Sequence, residues 1–312
     1  MKTEPLISIV TVNYNQCAVT ADMLRSLAQL TYKNYEVIVV DNASVENSAS
    51  LKNEFPFITH ITSPSNTGFA GGNNLGLFYA KGDYVFLVNN DTEVTPGLLN
   101  ELVSYMTTHA ECAIACPKIK YFFKPDTIQY AGTVGPNLLT SRSYDIGYMQ
   151  KDDGSFNDRR VTDQPNGAAM MIPMKLIKQL GPMSELFFLY YEELDWAARF
   201  KKAGYEVHYV GTASIYHKES VSTGKNSAFK TFYLYRNRLL YIRRNYNGIN
   251  RIISGSFFTM ISTPVHMVKH VLKGDWQHAK SIAKALIWNL THSAFKEPAT
   301  HSSLLKNQLI IC

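Results

Sequence analysis

Four short apolar runs, each closing on polar residues and each followed by a helical pattern, constrain this chain more than anything else in it. Ile7-Ser8-Ile9-Val10-Thr11-Val12 ends at Asn13, and Tyr35 to Val40 ends at Asp41-Asn42. Phe57 to Thr62 leads toward Asn66, and Tyr84 to Val88 stops at Asn89-Asn90-Asp91. Helical periodicity fills the gaps: Val19 to Leu30, Ser48 to Phe55, Asn73 to Ala80, and Pro96 to His109 with its proline in the first turn. Strands that are apolar throughout and alternate with helices imply a parallel sheet covered on both faces. Ligands of such sheets sit beyond the carboxyl ends of the strands. Asn13, Asp41, the segment from Asn66 and the Asn89-to-Asp91 turn are therefore expected on one rim.

Beyond this unit, Lys118 to Asp163 loses periodicity and is rich in Tyr, Gly, Asp and Ser, which predicts irregular structure with short hairpins. Order returns with a strand at Ala168 to Ile172, a helix near Lys175 to Leu180, and a helix from Glu192 to Ala203 stopped by Gly204. Glu206 to Val210 reads as a strand, Ser214-Ile215-Tyr216 leads into His217, and Tyr233 to Tyr246 reads as a continuous helix. Ile252 to Val268 is mostly apolar but spans 17 residues and contains Pro264 and His266. That is short of the ~20 apolar residues a spanning helix needs. Trp276, Ala279, Ile282, Ala283, Leu286, Ile287 and Leu290 share a helical face opposite Lys280 and Lys284. A basic amphipathic helix of this kind suits an anionic membrane surface, and its plain alternative is packing on the protein.

Charge supports the same division. From Arg199 onward there are 17 Lys+Arg against 4 Asp+Glu, whereas the first 198 residues carry 14 against 21. The asymmetry points to an anionic partner, and a membrane fits better than nucleic acid. The basic helix interleaves apolar residues, offers no open aromatic platform, and carries no reader motif. Cys112 and Cys116 stand four apart as on a helix, but no second pair completes a zinc set, so buried reduced thiols are expected. The start, Met1-Lys2-Thr3-Glu4-Pro5, has no apolar leader, which suggests a cytoplasmic protein.

Several residues carry candidate chemistry. Asp41 ends a buried strand, where a carboxylate either binds something or caps the next helix. Asn66-Thr67-Gly68-Phe69-Ala70-Gly71-Gly72-Asn73-Asn74 reads as a glycine-rich loop opening a helix whose N-terminus receives phosphate, or as a turn without ligand. Asn89, Asn90 and Asp91 offer oxygen ligands suited to Mg²⁺ or Mn²⁺, and His217 could add an imidazole nitrogen. Glu192, Glu193 and Asp195 crowd the start of one helix, where they either complement its dipole or include a general base. Glu192 shares a face with Asp195, and Glu193 points elsewhere.

Taken together, these stretches resemble family 2 glycosyltransferases, most closely the rhamnosyltransferase-like branch. The matching segments are Ser8 to Asn15, Val37 to Ser44, Asn66 to Gly76, Phe86 to Asp91, Phe187 to Trp196 and Tyr233 to Arg238. The resemblance implies an α/β GT-A fold with a mixed, mostly parallel sheet, helices on both faces and a helical C-terminal tail. It divides the chain into a catalytic domain over 1–245 (donor half to about 117, acceptor half from 118) and a tail over 246–312. It implies inverting transfer from a nucleotide-diphosphate sugar, with a deoxythymidine-diphosphate sugar such as rhamnose first and a uridine-diphosphate sugar next, to a glycan or lipid-linked acceptor at the inner face of the cell membrane. By position, Thr11, Asn13, Asp41, Asn66, Gly68, Gly71, Asn73 and Asn90 line the donor site. Asp91, Asn89 and His217 hold the metal, and Glu193 is the base, with Glu192 and Asp195 beside it. Asn89 stands where the family has the first Asp of its metal motif, and Glu193 where it usually has Asp. These two departures motivate an alternative, a non-catalytic nucleotide-sugar-binding or scaffolding subunit.

Overall fold

The computed structural model describes residues 4–218 and 227–298. Strands β1 (Ile7–Asn13), β2 (Tyr35–Asp41), β3 (Ile58–Thr62) and β4 (Tyr84–Val88) run parallel in the order β3-β2-β1-β4. Register sets Asn13 opposite Asp41 and Asp41 opposite Thr62, so the polar strand ends share one edge. Helices α1 (Cys17–Leu27), α2 (Ser50–Glu54) and α3 (Gly68–Tyr79) connect them. Side-chain alternation along β1 decides what covers each face. Asn13 accepts from Thr20 of α1 on one side, whereas Val10 and Val12 meet α3 on the other.

The α3 contact corrects the reading of the glycine-rich segment. The helix begins at Gly68, so Gly71, Gly72 and Gly76 lie inside it and not in a loop before it. A Cβ on Gly72 would fall 2.8 Å from Val12, and one on Gly76 would fall 2.3 Å from Val10. The glycines let α3 lie close on β1. Only Gly68, with φ of 71°, needs glycine for its backbone, and there a Cβ would meet the Phe188 carbonyl oxygen at 2.1 Å.

The sheet continues through β5 (Thr92–Val94), β6 (Cys112–Tyr121), β7 (Lys124–Tyr130), β10 (Arg159–Thr162), β11 (Ala169–Pro173) and β12 (Glu206–His217), with β8 (Thr133–Val134) and β9 (Tyr144–Asp145) forming a separate small pair. Past β4 the order is β11-β6-β12-β10, with β11 antiparallel to both neighbours and β6 parallel to β12. Cys112 and Cys116 lie in β6, not on a helix, and both are buried free thiols. Burial pushes the Cys112 thiol well above its ordinary range. β12 is one strand to His217, with its register interrupted between Val210 and Ser214. Gly211 sits there, and a Cβ on it would strike the Phe156 carbonyl oxygen at 2.2 Å. Helices α4 (Leu98–Thr108), α5 (Met174–Leu180) and α6 (Glu192–Lys202) complete this part.

Helix α7 (Ala228–Asn245) leads into a helical tail: α8 (Gly248–Ser256), a π-helical stretch over Phe257–Ser262, α9 (Thr263–Leu272) and α10 (Trp276–Thr291). A second apolar core gathers Phe187, Leu240, Ile242, Phe258 and Ala294 around α7. The face of α10 expected to meet a membrane is divided: Ala279 and Ile282 are buried against the protein, whereas Trp276, Ile287 and Leu290 are exposed, and beside it Asn289 donates to the Arg236 carbonyl of α7 at 3.0 Å. Further exposed apolar residues run along α8, the π-helical stretch and α9, at Ile249, Ile252, Met260, Val265, Val268 and Leu272. Among the described residues no helix is long and apolar enough to cross a membrane.

Candidate active site

At the carboxyl edge of β1, β2 and β4 lies a cavity of about 580 Å³. That is within the range of ~300–1,000 Å³ common for small-molecule sites. Of the residues singled out from sequence, Asn66, Gly68, Asn73, Asn89, Asn90, Asp91 and His217 line it. Thr11, Asn13, Asp41 and Gly71 do not: Gly71 packs on the Thr67 side chain, Thr11 is buried in β1, and Asn13 and Asp41 belong to a buried network beneath the rim. Asp41 accepts from Asn13 Nδ2 at 2.9 Å and from the Ser44 amide at 3.2 Å. The chain runs on as Thr20 donates to Asn13 Oδ1 at 2.8 Å and Asn90 donates to Thr20 at 3.0 Å. Asp41 thus holds the β1, β2 and β4 ends in one hydrogen-bonded array. Thr11 Oγ1 is buried and unpartnered.

Asn42 holds the other side. Its Oδ1 accepts from the Thr67 amide at 3.0 Å and its Nδ2 donates to the Gly68 carbonyl at 2.9 Å, which fixes the entry to α3.

The pairing of β12 with β5 carries His217 opposite Thr92, and so beside Asp91. His217 Nε2 lies 3.1 Å from Asp91 Oδ1, and His217 Nδ1 lies 2.8 Å from Gln129 Oε1. If Nδ1 donates to Gln129, the Nε2 lone pair faces a carboxylate oxygen, and two acceptors in that position call for a proton or a cation between them. A divalent ion suits the donor set: one carboxylate, one imidazole, and the amide oxygens of Asn89 and Asn90 nearby, with room in the cavity for phosphate oxygens. Gln129 orients the imidazole in the manner of an outer ligand-positioning group. A separate Glu111, Glu206 and His208 group has ligand atoms within 4.8 Å of one another. Its geometry is satisfied without an ion, because Tyr105 OH bonds His208 Nδ1 at 2.6 Å and Glu206 accepts from Nε2 at 2.9 Å.

The base candidates sit across the β4–β11 junction. The Asn89 amide donates to the Ala168 carbonyl at 2.9 Å. Glu193 lies against Gly167, where a Cβ would stand 3.6 Å from its carboxyl carbon. Glu193 Oε2 and Glu192 Oε2 are both buried atoms without a hydrogen-bond partner. Burial pushes the Glu193 carboxyl up to about 7. Burial, and then the neighbouring Glu193, pushes Glu192 higher still, with Arg236 acting the other way. A carboxyl tuned near neutrality suits a general base. Asp195 is differently placed: Arg244 grips it at 2.9 Å and 3.1 Å, and Asn245 donates to it at 2.7 Å.

Sequence reasoning missed the residues that hold the loop before α6. Phe188, Tyr190 and Tyr191 all take left-handed backbone conformations, with φ of 63°, 69° and 75°. Such residues persist only when their surroundings over-determine them. Here Asn237 Nδ2 lies 2.8, 2.7 and 2.8 Å from the Phe187, Leu189 and Tyr190 carbonyl oxygens. Arg236 donates to the Leu186 carbonyl at 2.7 Å, and its Nε donates to Asn237 Oδ1 at 2.7 Å, which fixes the amide's orientation. Phe188, Leu189 and Tyr190 then line the cavity, and Phe188 accepts from the Phe69 amide at 2.7 Å. Lys230 completes the lining near Tyr190, its Nζ 5.5 Å from that ring.

The model of glycosyl transferase family 2 matches residues 8–165. The low-salt glycan biosynthesis hexosyltransferase Agl10 of Haloferax volcanii is 27% identical over 241 residues, 75% of this chain and 74% of that protein. The N-acetylglucosaminyl-diphospho-decaprenol L-rhamnosyltransferase of Mycobacterium tuberculosis is 22% identical over 271 residues, covering 78% and 86%. Among solved structures, the mannosyltransferase PcManGT of Pyrobaculum calidifontis, in complex with GDP-Man and Mn²⁺, superposes with a TM-score of 0.57 at 14% identity, covering 99% of this chain and 81% of that one. TarS 1–349 of S. aureus with UDP-GlcNAc gives 0.57 at 14% identity, covering 89% and 80%. At such identities the structural likeness speaks for the fold, which is GT-A.

Proposed function

This chain belongs to glycosyl transferase family 2, and from that premise we propose that it moves a sugar, with rhamnose the first candidate, from a nucleotide-diphosphate donor to a lipid-linked or polysaccharide hydroxyl with inversion. Residues 1–245 act as the catalytic domain, the donor lying against the part before residue 118, and the tail from 246 holds the enzyme at an anionic membrane surface.

The observation that carries this reading is the pairing of Asp91 with His217 in the cavity wall, with Glu193 across the β4–β11 junction. Asp91 and His217, with Asn89, would hold a divalent ion whose charge offsets that of the departing nucleotide diphosphate. Lys230 adds positive charge on the opposite wall. Glu193 takes the proton of the acceptor hydroxyl as its oxygen bonds the anomeric carbon and the bond to the diphosphate breaks. Asn42 and Asn237 keep the donor-side loops in place around the sugar. Burial keeps the base near neutrality, and the charge of Glu193 in turn raises Glu192 beside it.

Calorimetric titration of nucleotide sugars with and without Mn²⁺ tests the donor half. One nucleotide sugar is expected to bind, and to bind at least tenfold more weakly to Asp91→Asn or without metal. Equal affinity in all three cases would remove the metal from the account.

A further inference from the structure

Arg142, Arg238, His266 and Lys269 come together from the loop before β9, from α7 and from α9. Arg238 donates to the Thr140 carbonyl two residues before Arg142, its guanidinium lies 4.9 Å from the Phe258 ring, and the His266 ring lies 5.9 Å from that of Tyr235 on α7. Burial first, and then Arg142, Lys269 and Arg238, hold His266 below its ordinary range. Burial and Arg142 likewise lower Arg238, against the pull of Tyr191. Elsewhere Arg25, Arg159, Arg160, Arg199 and Arg244 each have a carboxylate within ion-pair reach; among the described residues Arg142, Arg238 and Lys269 have none, and His266 stands among them as a neutral imidazole. Two of the cluster's polar atoms, Arg238 Nε and His266 Nδ1, are buried with no hydrogen-bond partner. Three cations without a counter-charge, beside two buried polar atoms without a partner, make a site suited to an anion.

Its neighbours say what kind of anion. On one side Arg142 lines a cavity of about 170 Å³ with Ser141, Ser143, Gln164, Tyr191 and Leu194, the last two flanking Glu193 in sequence. On the other side lies the outer surface of α8 and α9, where Met260 is 76% and Leu272 81% exposed and no acidic residue occurs from Gly248 to Gly274. An anion-binding cluster between a base and an exposed apolar face fits an amphiphile with a charged head and a hydrocarbon chain. We infer that this cluster binds the phosphate-bearing head of a lipid-linked acceptor, with the lipid chain along the outer face of α8 and α9. The inference rests on the proposed transfer reaction for the identity of its ligand.

The test uses the full chain in EDTA, which removes metal-dependent diphosphate binding at the donor site. Farnesyl diphosphate, farnesol and inorganic pyrophosphate are titrated separately. The expected result is that farnesyl diphosphate binds at least tenfold more tightly than either of the others. Arg142→Ala with Lys269→Ala should weaken it at least tenfold, and Arg238→Gln should do so independently. Asp91→Asn should keep farnesyl diphosphate binding while losing metal-dependent nucleotide-sugar binding. Equal affinity for farnesyl diphosphate in the wild type and the arginine variants overturns the inference. Pyrophosphate binding as tight as farnesyl diphosphate overturns the lipid part and leaves a phosphate site. Nucleotide-sugar titrations with Mn²⁺ on the same variants read the donor reaction separately, so failure of that reading is seen apart from failure of this one.

Discussion

Three carboxylates open helix α6, and the molecule treats them in opposite ways. Asp195 is buried and saturated, with two bonds from Arg244 and one from Asn245 tying α6 to the end of α7. Glu192 and Glu193, one turn earlier, each bury an oxygen with no partner and no ion pair. A charge that only held the fold together would be expected to look like Asp195, because an unpaired buried carboxylate is costly. The difference teaches where the chain spends stability: Asp195 is a fastener between α6 and α7, and the glutamate pair is kept protonatable in the first turn of α6.

The largest break in this comparison comes from Glu193→Gln. Transfer kcat should fall by roughly 10²–10⁴-fold, the usual worth of a general base, while the melting temperature holds or rises. Wild-type turnover in steady-state assays of that variant would move the base elsewhere. Asp195→Ala should act in the opposite sense, unfolding more readily by about 1–3 kcal/mol in denaturant titrations, because Arg244 and Asn245 lose their shared partner and, among the described residues, Arg244 keeps only Glu297 at 3.5 Å as a counter-charge. Its turnover per folded molecule should stay near wild type. Asn237→Ala should cost about 1–3 kcal/mol of stability and raise the donor KM, since the left-handed loop loses its clamp. Asn237→Asp should be worse than alanine, because a carboxylate would face three carbonyl oxygens.

The smallest effect expected is on pH-dependent stability. Glu192 and Glu193 are raised in the fold, so their contribution is fully present below the unfolded carboxyl range and is lost as pH rises through the folded values. Glu193→Gln should therefore flatten the fall in stability around pH 7, read as a narrower spread of denaturation midpoints.

The donor rim was legible because four apolar strands ending on Asn or Asp leave little choice of topology, and the strand ends do meet on one edge. The carboxylate cluster and the separation of Glu193 from Glu192 and Asp195 were legible, but the fastening of Asp195 was not, since that depends on Arg244 about fifty residues on. Asp91 and His217 are 126 positions apart, and only pairing of β12 with β5 joins them, a contact no local pattern encodes. Gln129 sits in the aperiodic stretch and gives no local signal. Gly72 was misread because close approach to a ligand and close approach of a helix to a strand select the same residue. The clean apolar period of α10 does not say which partner it meets: Ala279 and Ile282 dock inward, while Trp276, Ile287 and Leu290 stay exposed.

The central claim is that Glu193 is a base held near neutrality by burial, and its most direct test is the pH dependence of kcat/KM for the acceptor, which reports the free enzyme's ionisations. The account predicts a single rise through about pH 7 to a plateau in the wild type. In Glu193→Gln it predicts a low, flat profile over the same range. A flat wild-type profile from pH 5.5 to 8.5, or the same rise surviving in Glu193→Gln, would contradict it.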